Sequence, residues 1–339
     1  MNIIISIVTF LIVLFIYLHI YYHIKISNYL EVYDIQNLSK ERLEEICDLR
    51  QPATFNLDVS CFDLLLLENV KQEYGSFDIK IRDTSENTNS EIYLPYILNK
   101  AIVAIKEKRY YSEKNEEFLT ETSLLKILKV NDYFLRPNTL MTSTYDYIIG
   151  TELSQTPFRY DVCYRNYVVL LEGEALIKLT PPKNKKYLFT HKDYDNFEFR
   201  SPINPWNVQK QYQTNFDKIK CLDITLTKGK VLFIPAYWWY SIQFNSPETV
   251  ILNFKYKTYM NNITLIPDYF KYFLQKQNIK HIIIDTNTAN SNNYNEPNEP
   301  NINVSDLNIN DSNINDILNT MKVNEVNEVK DVNAVNDVI

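Results

Sequence analysis

The residues able to do metal, acid–base or nucleophilic chemistry are few and scattered. The only histidines are His19, His23, His191 and His281, and the first two fall in an apolar N-terminal run. His191 alone lies mid-chain, and Asp193 and Asp195 beside it have spacing that suits a solvated loop better than a metal site. Cys47, Cys61, Cys163 and Cys221 form no CxxC pair and no zinc or haem spacing. They read as small buried hydrophobes of a reducing compartment. No phosphate-binding glycine loop, G-x-S-x-G elbow or HExxH helix is present. The aromatic block Tyr237-Trp238-Trp239-Tyr240 reads as core packing, or as a pocket wall that presents Tyr240 to a ligand.

That block sits inside Lys228-Gly-Lys-Val-Leu-Phe-Ile-Pro-Ala-Tyr-Trp-Trp-Tyr240, which resembles the signature "GDVLYIPPYWWH" of the jumonji C and cupin-like (cupin-8) oxygenases. The asparaginyl hydroxylase that inhibits hypoxia-inducible factor belongs to the same family. Upstream, Thr156-Pro-Phe-Arg-Tyr-Asp161 stands where the family has "TPxHxD". Asn166, Glu172-Gly173 and Leu179-Thr-Pro-Pro182 resemble "N…GxK…LFPP". Leu49-Arg-Gln-Pro-Ala-Thr-Phe and Tyr74-Gly75 resemble its opening motifs, so the likeness runs in order from about residue 40 to 260.

The resemblance implies a double-stranded β-helix with two histidines and one carboxylate holding Fe(II), and 2-oxoglutarate bound beside it. Here the three ligand positions are Arg159, Asp161 and Tyr240. A guanidinium offers a metal no lone pair, and a phenol with a pKa of about 10 is a poor Fe(II) ligand. The lysine expected to anchor the distal carboxylate of 2-oxoglutarate is replaced by Ala175, and Lys178 three residues on faces the other way. Thr156 and Asn253 keep family positions that line the co-substrate pocket, although both residue types also serve to satisfy backbone. No metal and no cofactor are therefore expected. On this reading, replacing Arg159 and Tyr240 by His would rebuild a metal face, and Ala175→Lys would restore the co-substrate anchor.

Positioning these residues requires many short strands. Alternation and turn residues predict strands over Tyr145–Ile149, Asn166–Leu171, Ala175–Leu179, Leu222–Thr227, Val231–Ile234, Trp239–Phe244 and Val250–Tyr256. Before them come a helix capped by Ser39, a strand from Ala53, a helix over Phe62–Tyr74, a strand from Phe77 and a helix over Tyr93–Lys106. The fold class is mainly β with a helical lead-in: a jelly-roll cupin over residues 27–285.

Residues 1–26 read as a membrane anchor. Ile3–Tyr22 carries no formal charge, and about 20 residues at ~1.5 Å each match a hydrocarbon core of ~30 Å. No Lys or Arg precedes the run and no alanine occurs before Ala53, which argues against a cleaved signal. Lys25, Lys40 and Arg42 on its C-terminal side favour a single-pass protein with a cytosolic body. Residues 286–339, poor in aromatics and rich in Asn, Asp and Val, read as a disordered tail. The formal charge of −7, without a dense basic block, suggests no nucleic-acid partner. Abundant Asn, Ile and Tyr fit an AT-rich coding sequence such as that of a large DNA virus.

Three functions remain open on the sequence: a catalytically inactive, membrane-tethered cupin that binds a protein or an anionic small molecule, an active Fe(II)/2-oxoglutarate oxygenase with an atypical metal site, and a structural membrane protein. In the first, Arg159 either neutralises Asp161 internally or receives the anion.

Overall fold

The computed structural model describes residues 2–36, 38–82, 94–108, 110–194 and 196–276. The tail expected over 286–339 lies outside the described residues, as do His281 and Asp195. The N-terminal run forms α1 (Asn2–Ile24), whose segment Ile3–Tyr22 is long and apolar enough to cross a membrane. Its large apolar side chains from Ile3 to Leu18 stand exposed around the helix.

After β1 (Tyr33–Ile35), Ser39 caps α2 (Lys40–Asp48), its Oγ accepting the Arg42 N–H at 3.1 Å. β2 (Ala53–Asn56) follows. The helix expected over 62–74 is two pieces, a 3₁₀ helix (Ser60–Leu65) and α3 (Leu67–Tyr74), because Leu66 between them is extended at ψ 141°. The expected helix over 93–106, whose first residue lies outside the described residues, is strand from Leu94 to Ile97. β3 (Asp78–Arg82) pairs with β4 (Leu94–Ile97) before α4 (Leu98–Lys108) begins. Pro95 disfavours helix at Leu94 and is tolerated on the edge strand that β4 forms. β5 (Tyr111–Ser112), α5 (Glu116–Glu121) and α6 (Leu124–Asn131) complete the lead-in.

The β-rich half contains every strand that alternation predicts. Its strands are β6 (Leu140–Gly150), β7 (Arg159–Tyr160), β8 (Arg165–Glu172), β9 (Ala175–Thr180), β10 (His191–Asp193) and β11 (Glu198–Arg200). A short α7 (Gln213–Phe216) leads to β12 (Leu222–Leu226), β13 (Lys230–Pro235), β14 (Trp239–Phe244) and β15 (Thr249–Thr258), then α8 (Tyr259–Thr264). Gly173 turns β8 into β9 with φ +82°, a conformation glycine adopts without a Cβ penalty.

The strands assemble into a nine-stranded sheet, β1-β2-β13-β8-β15-β6-β5-β3-β4, and a six-stranded sheet, β10-β11-β7-β14-β9-β12. Between them lies an apolar core of Ile148, Val168 and Leu232 from the first sheet against Ile177, Ile242 and Phe244 from the second. A larger core covers the outer face of the nine-stranded sheet, where Leu43, Ala101 and Phe118 of the helices meet Tyr145, Val169 and Phe254. β8 is consequently buried on both faces, and its centre, residues 167–171, reads as a continuous apolar run. A third cluster, including Phe158, Tyr160, Phe199 and Trp239, covers the outer face of the six-stranded sheet. The Tyr237–Tyr240 block thus divides between two faces, by the turn at Tyr237 (φ +63°) and by alternation once β14 begins at Trp239. Trp238 and Tyr240 join the inner core, and Tyr237 and Trp239 the outer one.

Candidate functional site

The three family ligand positions meet at one end of the inter-sheet space. β14 pairs with β7 so that Tyr240 stands opposite Arg159, and the guanidinium lies 5.7 Å from the centre of the Tyr240 ring. The Tyr240 hydroxyl donates to Asp161 Oδ2 at 2.6 Å, and Asn166 Nδ2 donates to the same oxygen at 3.0 Å. On the other oxygen sits Lys255, whose Nζ donates to Asp161 Oδ1 at 3.1 Å. Lys255 is on β15, two residues beyond Asn253, and therefore on the same face of the strand.

Arg159 does not form an ion pair with Asp161. It forms a two-pronged pair with Glu113, Nη1 to Oε1 at 2.9 Å and Nη2 to Oε2 at 2.5 Å, and its Nη1 lies 3.6 Å from Glu198. Arg82 bridges the same two acids, at 3.1 Å from Glu113 and 2.8 Å from Glu198. The Tyr111 hydroxyl adds a bond to Glu113 at 2.9 Å, and Lys114 approaches Glu198 at 3.7 Å. The correction has a topological cause. β11 lies beside β7 and delivers Glu198, and β5 runs directly into Glu113, so Arg159 meets two buried acids while the shorter reach to Asp161 belongs to Lys255.

These charges set one another's protonation. Burial opposes the charge on Glu113 and Glu198, but Arg159 and Arg82 hold both carboxyls below their ordinary range. Burial likewise opposes the Asp161 charge, and Lys255 with Arg159 overcomes it. The Lys255 ammonium is held above the usual lysine range against its own desolvation, chiefly by Asp161. The Tyr240 phenol is pushed up to about 12 by burial and the Asp161 charge, so it is a protonated donor at neutral pH.

Fe(II) does not fit this donor set. Asp161 already accepts three hydrogen bonds, one from an ammonium, and its neighbours are a guanidinium and a protonated phenol. Among the described residues no group of three His, Cys, Asp or Glu side chains is arranged to hold a metal ion. His191 is exposed on β10, and Asp193 caps the turn behind it by accepting from Asn196.

The two retained pocket positions part company. Thr156 is buried, with its Oγ1 accepting the Ile242 N–H at 2.8 Å, which is a strand-bridging role. Asn253 binds Asn166 at 2.6 Å and the Tyr167 carbonyl at 2.9 Å, and it lines a cleft of about 640 Å³ with Lys80, Lys114, Asp146 and Lys255. Ala175 is wholly buried opposite Phe244 and Leu226, so a lysine placed there would enter packed core, not an open co-substrate face. Lys178 points to the other face and pairs with Asp223 at 2.7 Å. All four cysteines are free, but Cys61 is exposed and Cys221 partly so, which departs from the uniformly buried expectation.

Sequence reasoning missed Lys255, Glu113, Glu198, Arg82 and Lys114. A signal existed for Lys255, a charge inside the otherwise inward-facing Asn253 row of an apolar strand. Nothing local marked the acids.

Two facing sheets with polar side chains gathered at one end of the space between them define a cupin. Residues 68–262 match the family described as the Cupin-like domain, and the chain belongs to that family, in its jumonji-type branch. It is similar to HSPB1-associated protein 1 of Rattus norvegicus, 31% identical over 106 residues, which are 31% of this chain and 22% of that protein. The protein of the same name from Homo sapiens is 29% identical over 137 residues, 40% of this chain and 28% of its own length. The homologue from Danio rerio is 28% identical over 106 residues, 31% and 24% of the two chains. The match thus spans about a quarter of these curated relatives.

Proposed function

We propose that this chain is a membrane-anchored, catalytically inactive cupin-like domain whose barrel serves as a protein-interaction module. The observation that carries the reading is the Lys255 ammonium on Asp161, the one carboxylate kept from the family's ligand set. A side-chain cation stands where the family holds a dication, Arg159 supplies no lone pair, and the protonated Tyr240 phenol is a weak metal ligand whose proton is committed to Asp161. The name of the relatives, HSPB1-associated protein 1, speaks of association with another protein, and it supports a binding role over a catalytic one here.

The test is iron content and thermal unfolding of the purified full chain with Fe(II) and 2-oxoglutarate. A ligand of the native state at about 100 times its dissociation constant stabilises by about 2.7 kcal/mol, which a melting curve resolves. The expected result is no bound iron and no shift. Iron-dependent decarboxylation of 2-oxoglutarate, abolished by Asp161→Ala, would overturn the reading.

Anchoring rests on Ile3–Tyr22, whose apolar side chains stand exposed along most of α1. Lys25 and the following basic residues favour a cytosolic body. Membranes carrying the full chain should retain it through alkaline carbonate washing; its release into the wash would refute the anchor.

A further inference from the structure

We infer that a cleft at the end of α1, built around Arg50, binds the phosphate of an anionic lipid headgroup; the inference rests on the membrane-anchor reading. Arg50 is only 8% exposed and, unlike Arg82, Arg159 and Arg165, has no carboxylate partner among the described residues. Its Nη1 donates to the backbone carbonyls of Tyr22 and Lys25, at the C-terminal end of the anchor helix. The guanidinium stacks 4.4 Å from the centre of the Tyr22 ring. Its Nε and Nη2 are buried without a hydrogen-bond partner. These two nitrogens form one edge of the planar guanidinium, the edge that matches two oxygens of a phosphate or carboxylate. Leaving such an edge buried and unpaired is costly, and so it points to a ligand.

The surroundings choose the ligand's charge and source. Arg50 lines a cleft of about 750 Å³ together with Lys25, Lys183, Tyr29 and Asp48. The Asp48 carboxylate is committed to the Tyr164 hydroxyl at 2.7 Å and lies 3.7 Å from Arg165. Lys25 and Lys183 are exposed and have no ion-pair partner among the described residues. Three cations against one such acid favour an anion. An α1 that spans a bilayer ends at the headgroup level, which places Arg50 there too. Tyr22 also lines a smaller cleft with Thr258 and Met260, where α8 begins. From there the helical stretch 259–276 exposes Ile263, Ile266, Phe270 and Phe273 at helical spacing, an apolar stripe suited to the same interface. The linker over 25–32 has no regular structure; Ile26 and Val32 hold its ends against the inner core, and Ser27 to Tyr29 line the cleft.

The test uses the full chain in nanodiscs of phosphatidylcholine with or without phosphatidic acid, reading thermal unfolding and, by native mass spectrometry, retained lipid. Phosphatidic acid should raise the unfolding midpoint and remain bound to the wild type. Arg50→Lys keeps the charge but loses the two-nitrogen edge, and binding should weaken about tenfold. Lys25→Ala with Lys183→Ala, both at exposed positions, should weaken it by a smaller factor while leaving the fold intact. Equal binding by the wild type and both variants would overturn the inference, as would equal stabilisation of the detergent-purified chain by inorganic phosphate alone. A chain that withstands carbonate but ignores phosphatidic acid overturns this inference only. One that carbonate releases overturns the anchor as well.

Discussion

Arg159→Ala is expected to destabilise the domain by about 3–5 kcal/mol, because it removes the two-pronged cation from a buried Glu113 carboxylate that is only 1% exposed. Arg82 remains at 3.1 Å, but it is already shared with Glu198. Denaturant unfolding of the detergent-solubilised full chain, followed by tryptophan fluorescence, measures the loss. Combining the change with Glu113→Gln should recover much of it, since the buried carboxylate is removed along with its cation while Arg82 keeps Glu198. Equal stability of Arg159→Ala and wild type would show that the pair contributes nothing.

The same pair predicts a pH dependence. Glu113 and Glu198 titrate below their unfolded range in the folded state. Their contribution is therefore fully present above the unfolded carboxylate range of about 4–5 and is lost as pH falls through the lower folded values. Wild-type stability should fall with acidification below about pH 5, and Arg159→Ala should show a shallower fall, because part of the depression is gone.

The second large effect concerns metal affinity. Replacing Arg159 and Tyr240 by His, with Glu113→Gln to avoid the stranded charge, places two imidazoles beside Asp161 but leaves Lys255 on its carboxylate. At about 5 Å and an effective dielectric constant of about 20, each unit of charge product is worth about 3 kcal/mol. A dication facing one ammonium is a product of two units, about 6 kcal/mol before solvent screening, so adding Lys255→Met should strengthen Fe(II) binding by at least about a hundredfold, measured by anaerobic titration. The rebuilt face expected from the ligand positions alone is thus incomplete without removal of Lys255. Equal affinity with and without Lys255 would show that its ammonium swings aside, and would remove the main support for the proposed catalytic inactivity.

Much of this was legible in the sequence because it is local. Strand alternation located β8, β9 and β12 through β15, and the Ser39 cap started α2 where its hydroxyl can reach the Arg42 N–H. The family likeness placed Arg159, Asp161 and Tyr240 at one site, and the register of β7 against β14 brings them together. Where local signals competed, the tertiary structure decided. Helical spacing over 93–106 yielded at its start to pairing with β3, and Leu66 broke the expected helix over 62–74. The partners of the charges were decided only by the fold. Arg159 and Asp161, two residues apart, suggested each other, yet Arg159 found Glu113 46 positions away and Asp161 found Lys255 94 positions away. Side-chain periodicity is set by a residue's immediate neighbours, whereas an ion pair depends on which strands lie side by side, and that order follows from the packing of the whole barrel.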